Sequence, residues 1–350
     1  MTYPEVEQIT AILTDAQRIV VLQADNPDAD SLGSALALEN ILGAMGKAVY
    51  LYCSVDMPSY LHYLQGWDRV LNELPKQFDA SIIVDASTVT LFERLQTSGE
   101  IHWLATKPAI VLDHHTTVGN KLDFPGVTLC DATVSSSGEL IHQLSKQLGW
   151  PLDATTGECL MTAILGDTQG LSNDLAKPST YRTMAELVEL GVNRPLLEEH
   201  RREYSKMPQD IFRYKATLIT RTEFTSGGRI ASVDIPQADI TEYSPKYNPV
   251  PLIHGDMLST QGVAVAIVFK HYADGRITGS IRCNNGRAIA DKIAQHLGGG
   301  GHPYASGFKV VHGRPFNEVK SECLAFASEL LDNLDKELSH ETLQHPDRQN

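Results

Sequence analysis

Residues 19–45 read IVVLQADNPDADSLGSALALENILGAM. Ile19 to Leu22 is an unbroken aliphatic run, as in a strand buried on both faces. From Leu32 onward, Leu32, Ala35, Leu36, Leu38, Ile41, Leu42 and Met45 fall at helical spacing. Between the two lies an acidic turn, Asp25-Asn26-Pro27-Asp28-Ala29-Asp30. The same strand-to-helix rhythm continues outward. Further strands are expected at Ala48–Cys53, Ser81–Val84 and Ala109–Leu112, and helices at Ser137–Leu148, Ala154–Leu165 and Ser179–Leu190. Strands alternating with helices predict an α/β fold with a mostly parallel sheet covered on both faces.

The pattern changes near Gly191. Residues 191–226 read as a charged helical linker. New strands follow at Ile230–Asp234, Val263–Phe269 and Ile277–Arg282. A helix from Ala288 to Leu297 runs into four glycines, and Gly307–Val311 reads as another strand. The expected organisation is a first domain over 1–190, the linker, a smaller α/β domain over 227–340 and a polar tail over 341–350. A length of 350 residues accommodates two such domains.

Composition narrows the partners. Hydrophobic residues make up 42% and charged residues 21%, ordinary values for a globular chain. The N-terminal MTYPEVEQIT has neither the basic start nor the apolar core of a signal peptide. No apolar run is long enough to span a membrane. Five scattered cysteines without a CxxC pair argue against a disulfide framework and a zinc ribbon, so a reducing cytoplasm is expected. The 29 Lys and Arg against 43 Asp and Glu give a net charge of −14. Without a basic stripe, such a surface repels long duplex nucleic acid, whereas short phosphorylated ligands need only local donors.

Three strands run directly into carboxylates: Ile19–Leu22 into Asp25, Asp28 and Asp30, Ser81–Val84 into Asp85, and Ala109–Leu112 into Asp113-His114-His115. Asp167 follows the apolar run Leu160–Leu165. The carboxyl ends of parallel strands face the ligand crevice, so these groups should converge. Clustered carboxylates repel unless divalent cations sit among them. Carboxylates with imidazole suit Mn²⁺, and carboxylates with water suit Mg²⁺. Two ions about 3.5–4 Å apart can clamp a phosphate and activate water. Taken singly, each Asp could equally be a helix cap, Asp30 before its helix included.

The motifs Asn26-Pro27-Asp28-Ala29-Asp30-Ser31-Leu32-Gly33-Ser34, Ile82-Ile83-Val84-Asp85, Asp113-His114-His115 and Gly166-Asp167-Thr168 resemble, in order, the four motifs of the DHH phosphoesterase superfamily. The stretch from Gly298 to Gly307, GGGGHPYASG, resembles the glycine-rich motif of the DHH-associated C-terminal domain. The likeness is greatest to the NrnA-like group, which combines nano-RNase and pAp phosphatase activities. It implies a metal-bearing first lobe and a substrate-gripping second one. It implies Asp85 bridging two ions, Asp28 on one ion, and Asp30, His114 and Asp167 on the other. Asp113 and His115 would orient ligands or meet the phosphate. Ser135-Ser136-Ser137 resembles a family stretch near the substrate, although three serines before a helix also read as a cap.

The implied substrates are short RNA or DNA oligonucleotides, linear dinucleotides such as pApA and pGpG, or phosphomonoesters such as pAp; a homodimer stays open. Independently of family, Gly299, Gly300 and Gly301 would let backbone N–H groups approach a phosphate, and His302 adds a donor. Arg282, at a strand end, is a candidate phosphate clamp. One departure stands out. The family pattern places His four residues before the first motif's Asp, where this chain has Ala24. Asp25 or Gln23 could compensate only if the chain bends before Pro27. Three other readings compete with this one: a RecJ-like nuclease, a DHH-type pyrophosphatase, and a nucleotide sensor without efficient chemistry.

Overall fold

The computed structural model describes residues 2–115, 120–245, 247–311 and 313–344. It divides into two compact units, Met1–Lys206 and Met207–Asn350. The first contains, in chain order, α1 (Val6–Asp15), β1 (Arg18–Leu22), α2 (Ala29–Ala44), β2 (Ala48–Tyr52), β3 (Ala80–Val84), α3 (Glu93–Ser98), α4 (Glu100–Leu104), β4 (Ala109–Asp113), β5 (Gly126–Cys130), α5 (Ser137–Leu148), α6 (Ala154–Asp167), α7 (Pro178–Glu189) and α8 (Arg194–Tyr204).

Its five strands are all parallel, in the order β2-β1-β3-β4-β5. Side chains on β1 alternate between two layers. Ile19 and Val21 join the core beneath α2, α5 and α6, while Val20 and Leu22 join the opposite core with Phe92, Leu95 and Leu104. Helix α2 is buried nearly all round, since it also packs on α6. Gly33 makes that approach feasible: a Cβ there would lie 2.6 Å from the Cys159 carbonyl oxygen.

The second unit contains α9 (Gln209–Arg221), β6 (Glu223–Thr225), β7 (Ile230–Pro236), α10 (Gln237–Tyr243), α11 (Pro249–Leu258), β8 (Val265–His271), β9 (Ile277–Cys283), α12 (Ala290–His296), β10 (Gly300–His302), β11 (Ala305–Val310) and α13 (Phe316–Gln344). Its sheet runs β10-β11-β9-β8-β7-β6, and only β7 and β8 pair in parallel. Two cores flank this sheet, one beneath α12 and α13 and one beneath α9 and α11.

The expected linker over 191–226 is not a separate element. Helix α8 buries Leu197 in the first unit's core, and α9 buries Ile211, Tyr214 and Leu218 in the second's. Amphipathic helices follow the core that takes their apolar stripe, whatever their charge. Several elements escaped the sequence reading, among them α1, the edge strand β5, α10, α11 and the long α13.

Candidate metal centre

The carboxyl ends of β1, β3 and β4 converge. At β1 the chain turns through Asp28, whose Oδ1 accepts the N–H groups of Asp30 and Ser31 at 3.0 Å each, while Ser31 Oγ accepts the Asp28 N–H. Asp28 is therefore the N-cap of α2. Asp30, one step inside the helix, is freed from that duty. It is fully buried, and its oxygens accept the Ser137 N–H (2.7 Å), the Gly138 N–H (2.9 Å) and the Ser34 hydroxyl (3.1 Å). The N-terminus of α5 thus aims its positive end at Asp30.

At β3 the chain breaks into the left-handed region on Asp85, with φ of 60°. Such a conformation is uncommon for a non-glycine residue and clusters at functional sites. Asp85 Oδ1 accepts the Ser137 hydroxyl at 3.2 Å. At the far side, α6 ends on Asp167, and Gln169, Gly170 and Leu171 follow with positive φ.

His114 joins these groups. Its Nε2 lies 2.8 Å from Asp167 Oδ2 and 3.6 Å from both Asp30 Oδ2 and Asp85 Oδ1. The ring is buried, yet Nε2 makes no well-aligned hydrogen bond among the described residues. Two triads of donor atoms result, Asp30/His114/Asp167 and Asp85/His114/His115, each spanning less than 4.8 Å. Burial, then the charge of Asp167, raises Asp30 above the usual carboxylate range. Burial, then Asp30 and Asp28, raises Asp85 well above it. Asp28 is raised by burial and by Asp30. Burial works against a charged His114, but Asp167 and Asp30 overcome it and lift the ring to about 8. A protonated imidazole and a bound cation answer the same need, balancing negative charge taken out of water. The hard, mixed O/N donor set fits Mn²⁺, with Mg²⁺ as an alternative.

Asp113 stands behind this cluster. Its Oδ1 accepts the His114 N–H at 2.8 Å, the His115 N–H at 3.1 Å and the His115 ring at 2.8 Å. Burial opposes ionisation of Asp113, but hydrogen bonds from His115 and Ser87 prevail and lower it. The half-exposed His115 ring is raised, chiefly by Asp113.

In the serine stretch, Ser135 and Ser136 are fully buried and bond within the turn before α5. The Ser135 hydroxyl and N–H both donate to Glu139, and Ser136 Oγ caps α5 by accepting the Glu139 N–H. Ser137 is the member that reaches the carboxylates, a role the sequence reading missed. Its signal was position, since it is the first residue of α5.

In the second unit, Arg282, Ala305 and His302 stand in one lateral row across β9, β11 and β10. Arg282 is half-buried, with Nη1 donating to the Ile281 carbonyl, and burial lowers its pKa. The His302 side chain lies outside the described residues. The glycines only partly match the expected phosphate cradle. Gly298 and Gly299 donate back into α12, to Gln295 and Ala294, so Gly299 has no N–H to offer. A Cβ on Gly299 would come 2.2 Å from the Gly307 carbonyl oxygen, so close packing accounts for this glycine. Gly300 and Gly301 belong to β10, an edge strand, which leaves one row of backbone groups unpaired.

Residues 18–164 match the DHH family N-terminal domain, and residues 247–333 match the DHHA1 domain. The chain is a DHH/DHHA1-family protein. A bifunctional oligoribonuclease and PAP phosphatase NrnA of Thermus thermophilus is 26% identical over 81% of this chain and 81% of its own. Its namesake from Bacillus subtilis is 21% identical over 83% and 89%. An exopolyphosphatase-related protein from Bacteroides fragilis shares the fold, with a TM-score of 0.83 at 19% identity over 95% of this chain and 100% of that one. RecJ of Thermus thermophilus, solved with Mn²⁺, gives 0.57 at 16% identity over 94% and 55%.

In this DHH/DHHA1 chain the first motif departs from the pattern as the sequence indicated. Ala24 is buried in the apolar layer with Leu22, Ala86 and Phe92. Asp25 does not replace the missing donor, because its carboxylate accepts the Ser54 hydroxyl and the Arg94 N–H. Gln23 is fully buried, and neither side-chain amide atom has a hydrogen-bond partner among the described residues.

Proposed function

We propose that this chain is a metal-dependent phosphoesterase acting on short oligonucleotides such as pApA, pGpG or nanoRNA, and on phosphomonoesters such as pAp. The Asp30/His114/Asp167 triad, with Asp85 Oδ1 3.6 Å from His114 Nε2, carries the reading. The NrnA relatives support the substrate class, and the net charge of −14 favours short ligands over long duplexes.

Asp28, Asp30, Asp85, His114 and Asp167 would hold two Mn²⁺ or Mg²⁺ ions, with Asp85 between them. When bound, such ions neutralise phosphate charge and lower the pKa of a coordinated water toward neutrality. The chain supplies the rest. Ser137 and Gly138 N–H groups fix the Asp30 carboxylate, and Ser137 Oγ fixes Asp85. Asp113 ties down His115 Nδ1, which leaves Nε2 to meet a phosphate oxygen or hand over a proton. Arg282, His302 and the one N–H of Gly300 and Gly301 that β10 turns away from β11 grip the substrate phosphate.

The test uses the full chain, stripped with EDTA and resupplied with Mn²⁺ or Mg²⁺, against pAp, pApA, pGpG, cyclic dinucleotides and short RNAs. Hydrolysis of a linear dinucleotide or pAp that needs the cation is expected. No turnover across the panel with either ion would defeat the proposal. Ala24, packed where a ligand would help, favours a second reading, a nucleotide sensor. Tight nucleotide binding without turnover would establish it.

A further inference from the structure

A cavity of about 400 Å³ opens in the first unit beside the metal centre, and nothing in the mechanism above uses it. Its inner wall includes Ala29, between Asp28 and Asp30, and Gly166, next to Asp167. Both residues sit in the turns that carry Asp28, Asp30 and Asp167, so this wall of the cavity is continuous with the ligand-bearing backbone. Two tyrosines from the connection after β2 line one side, Tyr60 and Tyr63. Arg194 and Arg201 of α8 line another.

Tyr60 is 53% exposed, so its ring has little packing role. Yet its hydroxyl donates to the Pro27 carbonyl at 3.2 Å, one residue before Asp28. An aromatic ring held open to solvent and anchored on the metal-binding turn is a platform. Tyr63 is half-buried against the core and so rotationally fixed. Arg201 directs Nε and Nη2 at Glu198, at 3.0 and 2.7 Å, which holds the guanidinium plane in place. Arg194 makes no ion pair among the described residues. Fixed aromatic and guanidinium faces stack on nucleobases without strong sequence preference. The volume falls in the range of about 300–1,000 Å³ typical of small-ligand sites.

We infer that this cavity is a nucleobase subsite, taking the nucleoside that adjoins the phosphate held at the metal centre. The position of the nucleoside relative to the phosphate rests on the phosphoesterase reading; the existence of the subsite does not.

The test is calorimetric titration of the full chain in EDTA with adenosine, guanosine and, as a base-free control, ribose. Leaving out the phosphate avoids repulsion from the bare carboxylates. A nucleoside should bind and ribose should not. Tyr60→Ala should weaken nucleoside binding by about tenfold or more, whereas Tyr60→Phe, which keeps the ring, should stay within about twofold. Arg201→Ala should weaken it as well, with thermal melts confirming that each variant is folded. Nucleosides binding no better than ribose, or Tyr60→Ala binding like wild type, would overturn the subsite. Nucleoside binding without cation-dependent turnover would sink only the hydrolase reading.

Discussion

Asp85 shows how one residue concentrates the cost of the site. It leaves β3 in the left-handed region, is buried, and faces the charges of Asp30, Asp28 and Asp167. Asparagine is nearly isosteric and tolerates the same backbone conformation. Asp85→Asn should therefore keep the fold and remove hydrolysis. Without metal it should melt higher than wild type, since the repulsion from Asp30, Asp28 and Asp167 is gone. Mn²⁺, which should stabilise wild type by mass action, should stabilise this variant far less. Scanning calorimetry with and without Mn²⁺ checks both parts, and an unchanged Mn²⁺ response would remove Asp85 from the ligand set. Ala24 poses the converse question. If the first ion lacks a donor, Ala24→His should lower the Mn²⁺ midpoint for hydrolysis at least tenfold, because even indirect ligand losses cost about 10–100-fold. Equal midpoints would show the gap already filled.

At the scale of elements, the site depends on how α5 is seated. Glu139, fully buried, accepts the Ser135 N–H, the Ser135 hydroxyl and the Thr180 hydroxyl. It thereby shapes the turn that presents the Ser137 and Gly138 N–H groups to Asp30. Glu139→Ala leaves three buried donors without their acceptor. A loss of about 2–4 kcal/mol is expected in urea unfolding, together with weaker Mn²⁺ binding. If stability falls while Mn²⁺ affinity is untouched, the turn does not position Asp30. The sequence marked α5 correctly but not this linkage. Glu139 looks like any surface residue in a helix, and only packing against α7 buries it.

The whole molecule is two compact units, and the boundary between them has a measurable consequence. A fragment ending at Lys206 retains α8 and Leu197, whereas one ending at residue 190 loses that buried side chain. The longer fragment should unfold cooperatively and bind Mn²⁺ as the full chain does. The shorter should be less stable by about 2–5 kcal/mol, the usual range for losing a buried leucine. Chemical denaturation of both fragments decides; equal stabilities would place the boundary before α8. Both should turn over nucleotides poorly, since Arg282 and His302 are absent. Full activity in either would show that the DHHA1 unit does not grip the substrate.

The residues that cluster in the candidate metal centre were legible in the sequence because local rules expose them. A buried aliphatic strand announces itself, and the acidic residues after β1, β3 and β4 must lie at one edge of a parallel sheet. The glycine run likewise announced special backbone geometry, though not which N–H groups it would consume. What only the tertiary structure decided depends on contacts between segments far apart in the chain. Asp28, not Asp30, caps α2, because α5 claims both oxygens of Asp30. Ser137 rather than Ser135 or Ser136 reaches Asp85, because Glu139 ties Ser135 down and Ser136 caps α5. The pocket of Tyr60 and Arg201 joins residues about 140 positions apart. Sequence periodicity reports which face of an element is buried. It carries no information on which distant element will cover that face, and that choice determines the hydrogen bonds within the site.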